Sequence, residues 1–253
     1  LENVILIDPA HGEALSGLAR LFERKGDHRN LLDILRTQAD LAEGAPKVAL
    51  ILRAGEVLER DLDDVEEAIT TYEEVFLHDP ESSEALEALM RIARLEQYRE
   101  RAAEILEPRL RELSRFDELA EILELSAAGS VDPFGKKEKL RALAEVHDAC
   151  RGDLPAAFDA YARAFAEEPE DETIFHELDR LGDETGKFAE LADLFENSAQ
   201  TVGDPDMRAR LFKRVSEIAE GALEDLERAA RTMARAAEAN PDDELILEQL
   251  DRL

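Results

Sequence analysis

An all-α chain of stacked helical hairpins is what this sequence predicts, and three observations predict it. Leu, Ala, Glu and Arg, all good helix formers, dominate the 253 residues, while Trp is absent and Tyr occurs three times. Long β-branched runs and period-2 alternation, the marks of strands, are missing. The pattern also recurs: Pro9, Pro80, Pro169 and Pro241 each close a helix-like segment, at separations of 71, 89 and 72 residues. Apolar residues make up 44% of the chain, enough for a continuous core.

Aligning the sequence on those prolines brings other positions into register. Twelve residues before the last three stand Ala68, Ala157 and Ala229; eight before stand Tyr72, Tyr161 and Met233; five before stand Val75, Ala164 and Ala236. Spacings of four and three share one helix face. After each proline the order resumes with Leu18, Leu89, Leu178 or Leu250, then Leu21, Ile92, Leu181 or Leu253. Leu1–Ile7 therefore reads as the tail of a helix that starts upstream, and residues 242–253 as the start of a further unit. On this reading the chain is one continuous array excerpted from a longer one, about 15 helices counting the partial ones at both ends.

The periods run 10–80, 81–169 and 170–241. Four helices fit the first, roughly 11–25, 28–43, 46–60 and 64–77, separated by Lys-Gly-Asp (25–27), Glu-Gly-Ala-Pro (43–46), Asp-Leu-Asp-Asp (61–64) and Asp-Pro (79–80). Acidic first turns, as in Asp63, Asp64, Glu66 and Glu67, suit the helix macrodipole. The middle period is longer by 17 residues. RFDELAEIL (115–123) matches HRNLLDIL (28–35) and KFAELADLF (187–195), which places an extra helix at about 97–113, kinked or split at Pro108. An added helix breaks the even count of hairpins, so a bend is expected there.

The resulting hairpin resembles the tetratricopeptide repeat. LRALAEVHDACRGDLPAAFDAYARAFAEEP (140–169) carries the pattern best: Leu143-Ala144 at the family's Leu-Gly pair, Gly152-Asp153 at the turn, Ala157 where two helices approach, Tyr161 as the packing aromatic and Pro169 as the terminator. Gly55 and Ser216 keep the Ala144 site small in the other copies. Three departures stand out. The family's first aromatic is missing, one residue is added before the turn, and each period's first hairpin is degenerate. The resemblance implies a right-handed α-solenoid whose first helices line a concave groove that binds peptides or protein elements. It also implies that a carboxylate grip built on Lys and Asn is absent, because Glu and Arg stand at those places.

The charge of −30 opposes binding to a phosphate backbone and to anionic membranes; a basic partner is permitted. A solubilising acidic surface explains it equally well. The single cysteine, Cys150, excludes an intramolecular disulfide and reads as a small filler near a helix end. No stretch of 18 apolar residues and no secretory signal are present, so a cytoplasmic location is the default. His11, His28, His78, His147 and His176 have no ligand-spaced companions, no glycine-rich phosphate loop exists, and GKKEK (135–139) opens a helix. No catalytic, cofactor-binding or metal-binding residue is assigned, and an enzyme is not expected.

One charge pattern remains. Eleven residues after each proline stand Arg20, Arg91, Arg180 and Arg252; the equivalent sites of the second hairpins hold Glu56, Glu145 and Glu217. By the resemblance these face the groove. Two readings stay open. The residues form a ladder of ion pairs between neighbouring first helices, or they stripe a groove for a protein or peptide partner, with Arg20, Glu56, Arg91, Glu145, Arg180 and Glu217 as contacts. The leading expectation is a protein-interaction scaffold in a larger, bacterial-style assembly. The alternatives are a spacer that binds nothing, or a regulatory region whose catalytic domain lies elsewhere. Val4, Ile5 and the Leu245–Leu253 helix leave apolar faces open, so fraying or pairing with a second copy is expected there.

Overall fold

Acidic caps and prolines set the helix boundaries. In the computed structural model, which describes residue 8 and residues 10–253, fourteen α-helices and no strand are found among the described residues. The expected helical tail at 1–7, with Val4 and Ile5, lies outside them, as does Pro9. The chain forms two compact units, Leu1–Arg115 and Phe116–Leu253.

The first unit holds α1 (Gly12–Lys25), α2 (His28–Leu41), α3 (Ala45–Arg60), α4 (Val65–Val75), α5 (Ser83–Ala93) and α6 (Arg99–Glu112). The second holds α7 (Phe116–Gly129), α8 (Pro133–Glu145), α9 (Leu154–Glu167), α10 (Glu172–Thr185), α11 (Phe188–Ser198), α12 (Pro205–Gly221), α13 (Leu226–Ala239) and α14 (Glu244–Arg252). Pro108 lies inside α6 and does not split it. Many of the acids cap helices. Asp27, Asp64, Asp132, Asp153, Asp171, Asp204, Asp225 and Asp243 each accept a hydrogen bond from a backbone N–H of the following first turn, satisfying donors that the helix itself leaves open.

Hairpin turns come in two widths. Asp27 N–H donates to the Phe22 carbonyl and Arg115 N–H to that of Leu110, five residues back. Asp64 reaches Leu58, Asp153 reaches His147 and Asp225 reaches Ala219, six residues back. The wider closure is where the added residue of the second hairpins goes. In the middle copy it winds Val146–Arg151 into a π-helical stretch, the usual way to absorb one extra residue. Each wide turn also holds a left-handed residue, and only Gly152 (φ 65°) takes that conformation without strain; Asp63 (φ 55°) and Glu224 (φ 54°) hold the equivalent places. Cys150 sits in the π-helical stretch and is exposed. The buried-filler expectation fails because the widened turn carries Cys150 outward.

Within each unit, sequential helices pack on one another and share a core. Small buried residues recur where α3 packs on α4, α8 on α9 and α12 on α13. Ala68, Ala157 and Ala229 are fully buried, and Gly55, Ala144 and Ser216 opposite them are buried too. A Cβ on Gly55 would lie 2.5 Å from the Tyr72 ring, so the glycine makes room for the aromatic. In the third copy the Ser216 hydroxyl donates to the Ala229 carbonyl at 2.8 Å, so a polar side chain is satisfied in the same narrow space.

Candidate interaction surface

Ion pairs show which helices lie side by side. In the first unit Arg53 of α3 meets Glu23 of α1 at 2.7 Å. Arg91 of α5 grips Glu59 of α3 through two bonds of 2.8 and 2.7 Å. In the second unit Arg180 of α10 meets Asp148, just past α8. Arg214 of α12 meets Asp179 and Asp183 of α10, and Arg252 of α14 meets Glu220 of α12 at 2.5 Å. Helices two apart in sequence thus form one layer in each unit.

Three of these rungs repeat at one interval. Glu59–Arg91, Asp148–Arg180 and Glu220–Arg252 are each separated by 32 residues. The expected ladder is therefore corrected. Arg91, Arg180 and Arg252 carry rungs and Arg20 does not, and the partners stand three residues beyond Glu56, Glu145 and Glu217, one helical turn further along the same face. Glu145 instead pairs with Arg141 at 3.3 Å and Glu217 with Arg214 at 3.6 Å, both within their own helix. Glu56 is exposed and makes no ion pair among the described residues, while Arg20 donates to the Ser16 carbonyl at 3.2 Å. The signal is present in the sequence: an acid follows three residues after each of those glutamates, in three copies out of three.

In the first copy the rung reaches the core. The Tyr72 hydroxyl donates to Glu59 at 3.0 Å. Burial alone would raise the Glu59 pKa, but the hydrogen bonds from Arg91 and Tyr72, with the nearby Arg91 and Arg60 charges, more than offset it, so its carboxyl is held below the usual range. Burial and the neighbouring Glu59 charge push the Tyr72 phenol well up. Tyr161, in the middle copy, is pushed up to about 12, first by burial and then by nearby acids.

In the second unit most layer arginines meet more than one acid. Arg141 meets Glu138 and Glu145; Arg180 meets Asp148, Glu177 and Glu184; Arg214 meets Asp179, Asp183 and Glu217; Arg252 meets Glu220. Nine carboxylates thus surround four guanidiniums, with Glu138 also meeting the Lys137 ammonium at 3.6 Å, and these groups together keep a negative charge. The opposite layer obeys another rule. Arg36 of α2 meets Glu67 of α4 at 2.5 Å, whereas at equivalent positions Glu196 of α11 meets Arg228 of α13 at 2.9 Å, with the signs exchanged.

One basic residue lies deeper than its sequence context suggests. Lys137, inside GKKEK, is buried and clamps the connection between α9 and α10, meeting Glu168 at 2.6 Å and Asp171 at 3.2 Å. Its stem is covered while its ammonium stays paired. Among the described residues no group of three or more His, Cys, Asp or Glu is placed to hold a metal ion, and no helix is long and apolar enough to cross a membrane.

Comparison with known proteins adds a family. The family model described as "Tetratricopeptide repeat" matches residues 14–49. That segment is the first hairpin of the first period, one with the narrow turn, where the sequence pattern looks degenerate. Among solved structures, similarity is found to YrrB, described as a TPR protein with an unusual peptide-binding site. Identity is 14% and the TM-score 0.34, over 81% of this chain and 92% of that one. TTC0263, a TPR protein of Thermus thermophilus, gives 16% identity and a TM-score of 0.31 over 81% and 97%. Pseudomonas aeruginosa PilF gives 15% and 0.30 over 97% and 98%. No curated protein matches the sequence.

Proposed function

We propose that this chain, which belongs to the tetratricopeptide-repeat family, is a protein-interaction scaffold whose second unit holds a basic segment of a partner protein against the first-helix stripe. The excess of nine carboxylates over four arginines carries the reading. Each arginine there is already engaged, so an incoming Lys or Arg meets acids that have charge to spare. Most of these acids are at least one-third exposed, including Glu145 and Glu217, and remain accessible to a partner.

In this reading Glu145 and Glu217 receive cations, and Arg180 holds Asp148, Glu177 and Glu184 in place between them. Arg20, Glu56 and Arg91 are the corresponding contacts of the first unit, where exposed Glu56 is the acid left to a partner. Because the contacts are exposed, they steer encounter and fix register more than they add affinity. Binding should weaken as salt shortens the reach of exposed charges.

The test is titration calorimetry of the chain with an arginine- and lysine-rich peptide at low salt. Reversing charge at Glu145 and Glu217 together should weaken binding about tenfold, two exposed pairs at up to ~1 kcal/mol each. Unchanged affinity dismisses these residues. Absence of any bound partner at low salt favours the spacer instead.

A further inference from the structure

Between α2 and α4 of the first unit, over α3, lies an open pocket of about 300 Å³, the small end of what ligand pockets offer. Its floor is apolar, made by buried Ala39, Ile51 and Ala54. Its charged lining is Arg36 with three acids, Asp40, Glu67 and Glu74. Arg36 is held by Glu67 at 2.5 Å. Asp40 and Glu74 are exposed and make no ion pair among the described residues. One acid is thus matched and two are left over.

The other two copies show what closes this place. Counting from the small residues Gly55, Ala144 and Ser216, Glu74 corresponds to Arg163 in the middle copy and Arg235 in the third, and Ile51 to Leu140 and Phe212. Arg163 of α9 reaches Glu124 of α7 through two bonds of 2.8 Å. Arg235 of α13 lies over the Phe212 ring, 4.2 Å from its centre, and 3.7 Å from Glu196 of α11. Each time an arginine of the later helix spans the gap to the earlier one. In the first copy the signs are exchanged, with Arg36 standing where Glu124 and Glu196 are. Arg36 turns to Glu67 rather than Glu74, and the gap stays open. Five helices, α10 to α14, follow the middle copy, and its gap is closed by Arg163 of its own α9. The stack closes such a gap from within the copy, not by its next repeat.

We propose that this pocket takes an arginine side chain of a partner protein, supplying from outside the cation that Arg163 and Arg235 supply from within. The aliphatic stem lies along Ala39, Ile51 and Ala54, as long cationic side chains do on apolar surface. The guanidinium meets Glu74 and Asp40, the acids that the Arg36–Glu67 pair leaves without a cation. A planar fork of donors suits paired carboxylates better than a point-like ammonium does. The pocket belongs to the first unit and the acidic stripe to the second, so each can fail without the other.

The probe is N-acetyl-arginine amide, titrated at low salt against the full chain while the Ile51 methyl resonances are followed by NMR. N-acetyl-citrulline amide is its uncharged counterpart and N-acetyl-lysine amide the second cation. The arginine compound should shift the Ile51 methyls saturably, the lysine compound should bind more weakly, and the citrulline compound should leave them in place. Glu74→Gln should weaken arginine binding about threefold, as the loss of one exposed ion pair allows. Arg36→Glu and Glu74→Arg made together write the middle copy's arrangement into the first; they should abolish the shift while the helical circular dichroism is kept. Charge reversal at Glu145 and Glu217 should leave the shift unchanged. Absence of a saturable shift at Ile51, an equal shift with citrulline, lysine binding as tight as arginine, or affinity unchanged by Glu74→Gln overturns the proposal.

Discussion

The crossing of α3 with α4 and that of α12 with α13 solve one packing problem in two ways. In the first, Gly55 admits the Tyr72 ring, whose hydroxyl reaches Glu59 and through it Arg91. In the other, Ser216 and Met233 occupy those places, the hydroxyl of Ser216 turns to the Ala229 carbonyl, and Glu220 meets Arg252 without help from the core. The rung to the next first helix survives both solutions. A small residue opposite a large one is the requirement for close approach, and the polar link from core to rung is an addition made in one copy.

Removing the ring should have the largest effect. Tyr72→Ala leaves a cavity and takes a hydrogen bond from Glu59, costing about 3–5 kcal/mol, read as a drop in urea midpoint. Gly55→Ala comes next: overpacking against the ring costs about 1–3 kcal/mol, against a helix-propensity gain of about 1 kcal/mol. Gly221, in α12, has open space where a Cβ would go, so Gly221→Ala should stabilise by up to about 1 kcal/mol. If Gly55→Ala is as benign as Gly221→Ala, the close-approach account is wrong.

The Glu59 link makes the first crossing sensitive to acid. Its carboxyl titrates below its unfolded value, so the unfolded state binds the proton first. The stabilisation is fully present above the unfolded pKa, near about 4.3, and is lost as pH falls through the folded value. Tyr72→Phe removes one of the two donors and should flatten the pH dependence of stability below about pH 5. A curve parallel to that of the unmodified chain contradicts the link.

Most of this is legible in the sequence. Helix boundaries follow from aspartate caps and prolines, and the proline register finds Gly55, Ala144 and Ser216 with the large residues opposite them. The rung partners do not follow. Glu56 and Glu59 lie on nearly one face, and a periodic pattern does not say how far a neighbouring helix has slid along that face. Cys150 and Lys137 escape for a related reason. A one-residue widening of the turn rotates what precedes it, and a lysine caught between Glu168 and Asp171 can be buried where composition places it in water.

The wide turns give the smallest effects. Asp63→Gly and Glu224→Gly relieve a left-handed backbone and should stabilise by up to about 1 kcal/mol, while Gly152→Ala should cost at least as much. Thermal denaturation of the three variants distinguishes these signs. Shifts of one sign in all three would contradict the left-handed account of these turns.

The rung register is the claim on which the layer of neighbouring first helices rests, and a double-mutant cycle tests it most directly. Glu59→Gln and Arg91→Gln are made singly and together, with Glu56→Gln in place of Glu59→Gln as the comparison. Opening free energies of α5 are then read by native-state hydrogen exchange. A coupling of about 0.5–1 kcal/mol between Glu59 and Arg91, with none resolved between Glu56 and Arg91, is the predicted result; coupling through Glu56 and none through Glu59 would contradict it.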